Sequence, residues 1–176
     1  MMRHVLLALS LMLYVPYSFA ICSSQIQSNT PNSRYQIFNN GSEVKDLKTE
    51  LIWQRCTVGQ TWTGSSCEGE ATAYTWPQAL EIVKTGDNIW RLPNVKELYS
   101  LVNIACYNPS INEPIFPNTA NDGYWSSSPF VSQSIADHAW SVIFGSRFIK
   151  DVNGSVEVLS TDTLFMLRLV KDNNSK

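Results

Sequence analysis

A run of serines, one histidine well inside the chain and four cysteines are the residues whose types could do covalent chemistry. The serines stand at Trp125-Ser126-Ser127-Ser128, and the histidine is His138, beside Asp137. A serine nucleophile needs a base within hydrogen-bond reach and a third group to orient that base. The serine run lacks the Gly-x-Ser-x-Gly turn that exposes a nucleophile. Asp137, adjacent in sequence, is badly placed to orient the imidazole. A hydrolase is therefore the least favoured reading, no catalytic residue is assigned, and the chain is expected not to be an enzyme.

The cysteines are Cys22, Cys56, Cys67 and Cys106. They form no Cys-x-x-Cys and lie far from the histidine, so zinc is not expected. An even number in an exported chain favours disulfides. Three pairings are open. Cys56–Cys67 is favoured, because Gly59, Gly64 and two serines between them suit a tight loop; Cys22–Cys106 would then tie the N-terminal segment to the body. Calcium is not expected either. Glu113-Pro114 is followed by Ile115, no Trp-Asn-Asp occurs, and Asp151-Val152-Asn153-Gly154 lacks the later bidentate glutamate of a calcium loop. No metal and no cofactor are assigned. What remains is surface: Trp62, Tyr124 and Trp140 to stack on a sugar ring or a partner, and Arg147 and Lys150, flanking Phe148, to meet an anionic group.

Those side chains need a scaffold, and the composition supplies one. The 176 residues are 44% hydrophobic, 11% aromatic and 16% charged, with a net charge of -2. That is enough apolar side chain for one folded domain and too much for global disorder. An acidic balance excludes a general nucleic-acid binder, which needs a basic surplus. Residues 1–20 read as a secretory signal peptide: Arg3 and His4, a short apolar core, Pro16, then Ser18-Phe19-Ala20 before a cut after Ala20. The apolar core is too short to span a hydrocarbon layer of about 30 Å. An uncleaved anchor is the lesser reading, and a lipid on Cys22 ranks lower because Ile21 before it is bulky. Losing Arg3 takes the 13 basic side chains to 12 against 15 acidic ones, a net charge of -3. No second apolar segment follows, so no membrane span is expected after the cut and the location is extracytoplasmic, periplasmic or secreted.

Along the mature chain, 21–33 reads as a flexible lead-in, 34–171 as the domain and 172–176 as a polar tail. Strands are expected at 35–38, around Val44 and at 51–55, with Asn39-Asn40-Gly41 turning the first pair. Thr75-Trp76-Pro77-Gln78 is a capping box, followed by an apolar stripe of Ala79, Leu80, Ile82 and Val83 and a stop at Gly86. A second helix starts at Asn94, with Glu97 three residues on and Val95, Leu98, Leu101 and Val102 on its buried face. A short strand at 89–92 lies between. Residues 108–122 read as a long ordered loop pinned by Ile111, Ile115 and Phe116. Strands follow at 124–127, 139–144, 148–152, 155–159 and 164–170, with Asn153-Gly154 turning one hairpin. The last run, apolar nearly throughout, is placed centrally in a sheet, with Arg168 paired or reaching water. Two helices before a strand-rich half make an α+β domain. Trp90-Arg91-Leu92-Pro93, at a strand-to-helix corner, reads as core plus a buried hydrogen-bonded pair.

Several stretches together carry a resemblance: Leu51-Ile52-Trp53-Gln54-Arg55-Cys56, Gly59-Gln60-Thr61-Trp62, Tyr74-Thr75-Trp76, Trp90-Arg91-Leu92-Pro93-Asn94, Cys106-Tyr107-Asn108-Pro109, Phe116-Pro117-Asn118-Thr119, Tyr124-Trp125-Ser126-Ser127-Ser128-Pro129 and Leu167-Arg168-Leu169-Val170. In their order and types they resemble the Lcl C-terminal domain family, named for the end domain of a bacterial collagen-like adhesin. The resemblance implies a C-type-lectin-like fold, with two helices, a twisted, mostly antiparallel sheet and long loops. It also implies an exported bacterial binding or adhesive role. In the namesake this domain is linked to sulfated glycosaminoglycans and to trimers, so a polysaccharide or surface protein is the expected partner and a homo-oligomer a further one. A sulfated polymer would need a local basic patch on this acidic chain. The alternative role is a structural accessory of a cell-envelope assembly such as a pilus or secretion apparatus.

Overall fold

The computed structural model describes residues 20–86, 89–145 and 154–173. The signal-peptide reading falls, apart from Ala20, outside the described residues, and so do Arg147, Lys150 and the expected strand at 148–152.

The first sheet grows out of a hairpin. Strand β2 (Tyr35–Phe38) turns through Asn39, Asn40 and Gly41, which all take positive φ, 50°, 54° and 88°. Asparagine tolerates that region and glycine has no Cβ to clash, so three successive left-handed residues make the turn at the place the sequence suggested. The chain returns as β3 (Glu43–Asp46), then β4 (Ile52–Gln54), and the sheet closes with β11 (Val170–Lys171) in the order β11-β4-β3-β2. A second sheet, order β10-β9-β8, consists of β8 (Gly123–Phe130), β9 (His138–Ile143) and β10 (Ser155–Ser160), all antiparallel. Two small pairs complete the set. Strand β1 (Ile21–Cys22) pairs β7 (Cys106–Tyr107), and β5 (Thr61–Trp62) pairs β6 (Cys67–Glu68). The fold is α+β, with mostly antiparallel sheets and two helices.

Helix α1 (Trp76–Thr85) starts where the capping box predicted, with Gln78 Oε1 accepting the Thr75 N–H at 2.9 Å. Of its apolar stripe only Ala79 is fully buried; Leu80, Ile82 and Val83 are half-covered against the core. Helix α2 (Val95–Tyr99) is capped on both arms: Asn94 Oδ1 accepts from Lys96 and Glu97 N–H, and Glu97 Oε2 accepts the Asn94 N–H. It is shorter than its apolar spacing suggested. Leu101 and Val102 are buried beyond its end, where the backbone tightens to Leu101 N–H to Leu98 O and Val102 N–H to Tyr99 O, and Val102 bridges to Ile111. No described helix is long and apolar enough to cross a membrane.

Two cores sit on opposite faces of β8. Tyr124, with Val142, Phe144, Phe116, Trp53 and Met166, belongs to one; Trp125, with Ala139, Phe165, Leu167, Leu169 and Ala79, belongs to the other. Consecutive strand residues point to opposite faces, so a sheet covered on both sides buries both. Residues 165–170 alternate in the same way between the two cores, which is why the run is apolar nearly throughout. It is not one central strand, however. Its backbone bonds in turn to Tyr74, Gly123 and Trp125, Val58, Gln54 and Arg91, and only Val170–Lys171 joins a ladder. The segment passes between elements rather than along one neighbour. The stretch at 89–92 likewise forms only a bridge, Arg91 to Val170.

The N-terminal segment is tied down where a loose lead-in was expected. Asn29 brackets the end of α2, donating to Val102 O at 2.9 Å and accepting the Ile104 N–H at 3.0 Å. Asn112 Nδ2 donates to Thr30 O and Asn32 Oδ1. The loop at 108–122 is pinned as expected, with Ile111 and Phe116 wholly buried and Ile115 nearly so.

At the head of β2, the Arg34 guanidinium pairs with the fully buried Asp46, which also accepts from Lys48 N–H and Thr49 Oγ1. Burial alone would raise the Asp46 carboxyl, but Arg34 and these two donors outweigh it and hold the group below the usual carboxylate range. A carboxyl depressed in the folded state contributes stability above its unfolded value, near 3.8, and that contribution is lost as pH falls through the folded value. Asp46→Asn is expected to lower stability by about 2 kcal/mol at pH 7, the scale of a hydrogen bond to a charged group. The gap to the parent should narrow in acid below that unfolded value. Urea titrations at neutral and acid pH check this, and a gap that widens in acid would contradict it.

Candidate functional site

The four cysteines form Cys22–Cys106 and Cys56–Cys67, the pairing favoured from the loop composition. The second bridge closes the β5–β6 hairpin, in which Trp62 lies directly opposite Cys67. It sets the strand that carries Trp62.

Three further contacts fix that tryptophan. Its Nε1 donates to Asn40 O at 2.9 Å. A Cβ at Gly41 would come within 2.7 Å of its ring, so the left-handed hairpin turn is also the surface on which the indole rests. The Arg55 guanidinium stands 4.4 Å from the ring centroid. Arg55 is itself immobilised: Nε donates to Ile115 O, Nη1 to Gly41 O and Nη2 to Pro114 O, at 2.6, 2.7 and 3.0 Å. Burial lowers its guanidinium from its ordinary value, yet arginine stays a cation. Every nitrogen of that cation is committed to a backbone carbonyl.

Trp62 borders a recess of about 220 Å³ that it shares with Trp90, Ser42, Glu43, Gln54 and Gln60. Trp90 carries a cation too, the Lys171 ammonium, 4.4 Å from its ring centroid. Lys171 Nζ also lies 2.8 Å from Glu43 Oε2. Gln60 is held from both ends of its amide, accepting the Thr57 N–H and donating to Asn118 O. The Gln54 side-chain amide has no hydrogen-bond partner among the described residues, so it is the polar group left to meet a ligand. Ser42 Oγ donates to Asn39 O and keeps its acceptor lone pairs.

The other expected ligand residues do not assemble here. Trp140 lies in a separate, apolar recess of about 270 Å³ with Val95, Lys96, Tyr99 and Val156, its ring edge-on to Phe130. Tyr124 must be corrected to a core residue. It is fully buried, its hydroxyl lies 2.9 Å from Thr57 Oγ1 and accepts the Ala120 N–H, and it presents no face to a ligand. Arg147 and Lys150 lie outside the described residues. Trp90, which the sequence reading assigned to the core, lines the recess beside Trp62. The bridge from Arg91 to Val170 places it near β11, and nothing local in the sequence marks that long-range pairing.

The remaining chemistry-bearing residues hold the scaffold. Ser126 Oγ donates to Trp140 O, Ser127 Oγ to Pro93 O, and Ser128 Oγ accepts the Val95 N–H. His138 Nδ1 stands 2.6 Å from Ala136 O. Arg91 makes a corner pair, bidentate to Glu97 at 2.8 and 3.0 Å and reaching Asp172 at 2.9 Å, but with its side chain 38% exposed it is not the buried pair expected. Among the described residues no cluster of three histidine, cysteine or acidic side chains is arranged to hold a metal ion.

Comparison with curated proteins gives no match, and comparison with solved structures gives none. Comparison with protein families matches residues 42–171 to the Lcl C-terminal domain, most of the chain and every element from β3 to β11, and the protein belongs to the Lcl C-terminal domain family.

Proposed function

We propose that this protein is an exported, non-enzymatic binding module that holds a polysaccharide in the recess between Trp62 and Trp90. The observation that carries the reading is the pair of indoles brought to one recess from β5 and from the segment before α2, with the Gln54 amide beside them. Pyranose rings present apolar C–H faces that stack on indoles, and their hydroxyls take hydrogen bonds from amides; concave sites with a few fixed polar groups are the usual form of such recognition. Family membership supports an adhesin-type role, since the family is named for the end domain of an adhesin. Two disulfides support an oxidising, extracytoplasmic location, reached through a signal peptide cut after Ala20. On this reading the two-sheet arrangement is a C-type-lectin-like scaffold.

A glycan array probed with the oxidised chain tests the proposal. Trp62→Ala is expected to weaken the best ligand about tenfold, the loss of one aromatic contact worth roughly 1.4 kcal/mol. Retention of full affinity in that variant would move the site elsewhere. A second reading, contact with a protein of an envelope assembly, draws on the apolar recess around Trp140 and the half-exposed Tyr99. A stable co-purifying protein whose binding is lost in Trp140→Ala, with no glycan bound, would select it.

A further inference from the structure

Removal of the leader would take one acid's partner away and create a cation beside it. The Ala20 N–H donates to Glu113 Oε2 at 2.8 Å. Glu113 is half-buried, and among the described residues no lysine or arginine pairs with it. It borders a recess of about 310 Å³ between the N-terminal segment and the loop at 108–122, with Cys22, Ser23, Asn103 and Asn112 among its neighbours. Of the residues described there, Glu113 alone carries a formal charge.

Hydrolysis of the Ala20–Ile21 bond by a signal peptidase consumes one water. Ala20 leaves as a carboxylate on the leader, carrying away the N–H that Glu113 held, and the Ile21 nitrogen becomes an α-ammonium. Strand β1 holds that nitrogen close to the acid. The Ser23 N–H donates to Ala105 O at 2.8 Å. By the alternation of an antiparallel ladder, Ile21, two residues back and opposite Tyr107, is the next hydrogen-bonded position. Its nitrogen lies one residue, about 3.3 Å of extended chain, from the one Glu113 holds before the cut. An ammonium has three N–H donors. One keeps the Tyr107 carbonyl, and the others are left for a carboxylate on a flexible stem. Both members of the pair are then charged, which makes the shorter and stronger kind of hydrogen bond. On the cut after Ala20 adopted above, and independently of the glycan site, we propose that Glu113 is the receptor for the Ile21 α-ammonium. Processing then fastens strand β1 to the body through an ion pair that the uncut chain cannot form.

The test exports the full chain and its Glu113→Gln variant from a bacterium and purifies both oxidised. Mass spectrometry of the N-terminal peptide is expected to show Ile21 first; any other start overturns the assignment through the cut itself. The Ile21 amine is then acylated over a pH series and read on that peptide. A free α-amine titrates near about 7.7–8.0. A carboxylate within ion-pair reach raises that by about one unit, so the parent is expected to label about tenfold more slowly than Glu113→Gln at about pH 7. The midpoint of its pH profile should move upward, which shielding alone would not do. The same profile in urea gives the unpaired reference from the parent alone, should the variant not fold. Stability gives a second readout. An amine raised by folding contributes stability below its unfolded value and loses it as pH rises through the folded value. The urea midpoint of the parent should therefore exceed that of Glu113→Gln at about pH 7 and match it at about pH 10. Tyr107, the other ionisable side chain beside Ile21, is common to both chains. One labelling midpoint shared by the folded parent, the variant and the chain in urea overturns the ion pair while leaving the cut in place. A stability gap that persists at about pH 10 reduces Glu113 to an acceptor of uncharged donors and overturns it too.

Discussion

Arg168→Met is expected to cost this domain about 2–6 kcal/mol, a large share of the 5–15 typical of a single domain. Arg168 has no exposed surface. Its Nη1 donates to Gln54 O and Arg55 O, and its Nη2 to Thr57 Oγ1 and Thr119 Oγ1. The guanidinium stands 4.9 Å from the Phe116 ring centroid and 5.8 Å from that of Tyr124. Burial, and to a lesser extent the neighbouring Arg55 charge, lower it from its ordinary value, yet it stays charged with no acid bonded to it among the described residues. Carbonyl and hydroxyl dipoles and two aromatic faces take the place of a counter-ion.

Methionine fills similar volume and supplies no donor. Two interior carbonyls would then lose hydrogen bonds that water cannot replace, at about 1–3 kcal/mol each. Thr57 would lose one of the contacts that aim it at the Tyr124 hydroxyl. Arg168→Lys should recover only part of the loss, since an ammonium cannot span the planar fork that reaches four acceptors at once. A urea midpoint that falls sharply in Arg168→Met, with an unchanged slope, is the expected observation. A variant within about 1 kcal/mol of the parent would show that these acceptors find other donors.

The same residue shows where sequence reading stops. The pattern of residues 164–170 announced a buried segment, which holds for 165–170 but not for the exposed Leu164, and that much was legible because burial is written in residue type. Arg168 within it was expected to be paired or solvated; its partners proved to be backbone atoms and hydroxyls, Gln54 and Arg55 lying more than a hundred positions away, and no side-chain signature encodes them. Local chemistry was readable. The capping arms at Gln78 and Glu97 lie three residues from their partners, and Arg91 finds Glu97 six residues on. Tyr124 was named as a surface aromatic, yet the serines that follow it at 126–128 bond to the backbone of adjacent elements, so this polar stretch sits inside with it. Half of the recess was visible, since Trp62 lies between two cysteines on a short hairpin. The other half was not, because Trp90 reaches it only through the pairing of Arg91 with Val170.

The two disulfides offer a separation of stability from binding, and they should behave as opposites. Cys22–Cys106 joins residues 84 apart and Cys56–Cys67 residues 11 apart. In the chain-entropy treatment, removing the longer link costs about 4.6 kcal/mol and the shorter about 2.8. The Cys22→Ala/Cys106→Ala variant should therefore be the less stable of the two by about 2 kcal/mol in urea titrations. Its binding should survive at temperatures where it stays folded. Strand β1 touches the body through β7 and the Ser23 N–H to Ala105 O bond, and none of these residues borders the Trp62–Trp90 recess. The Cys56→Ala/Cys67→Ala variant should do the reverse, losing less stability and more affinity. Cys56 itself borders the recess, and Cys67 is the cross-strand neighbour of Trp62. Without the bridge, the two-residue ladder of β5 and β6 must hold the indole with the Asn40 and Arg55 contacts alone. Equal loss of affinity in both double variants would mean that the recess depends on global rather than local order. A larger stability loss from the short link would mean that the hairpin strand, rather than loop entropy, dominates the energetics of this domain.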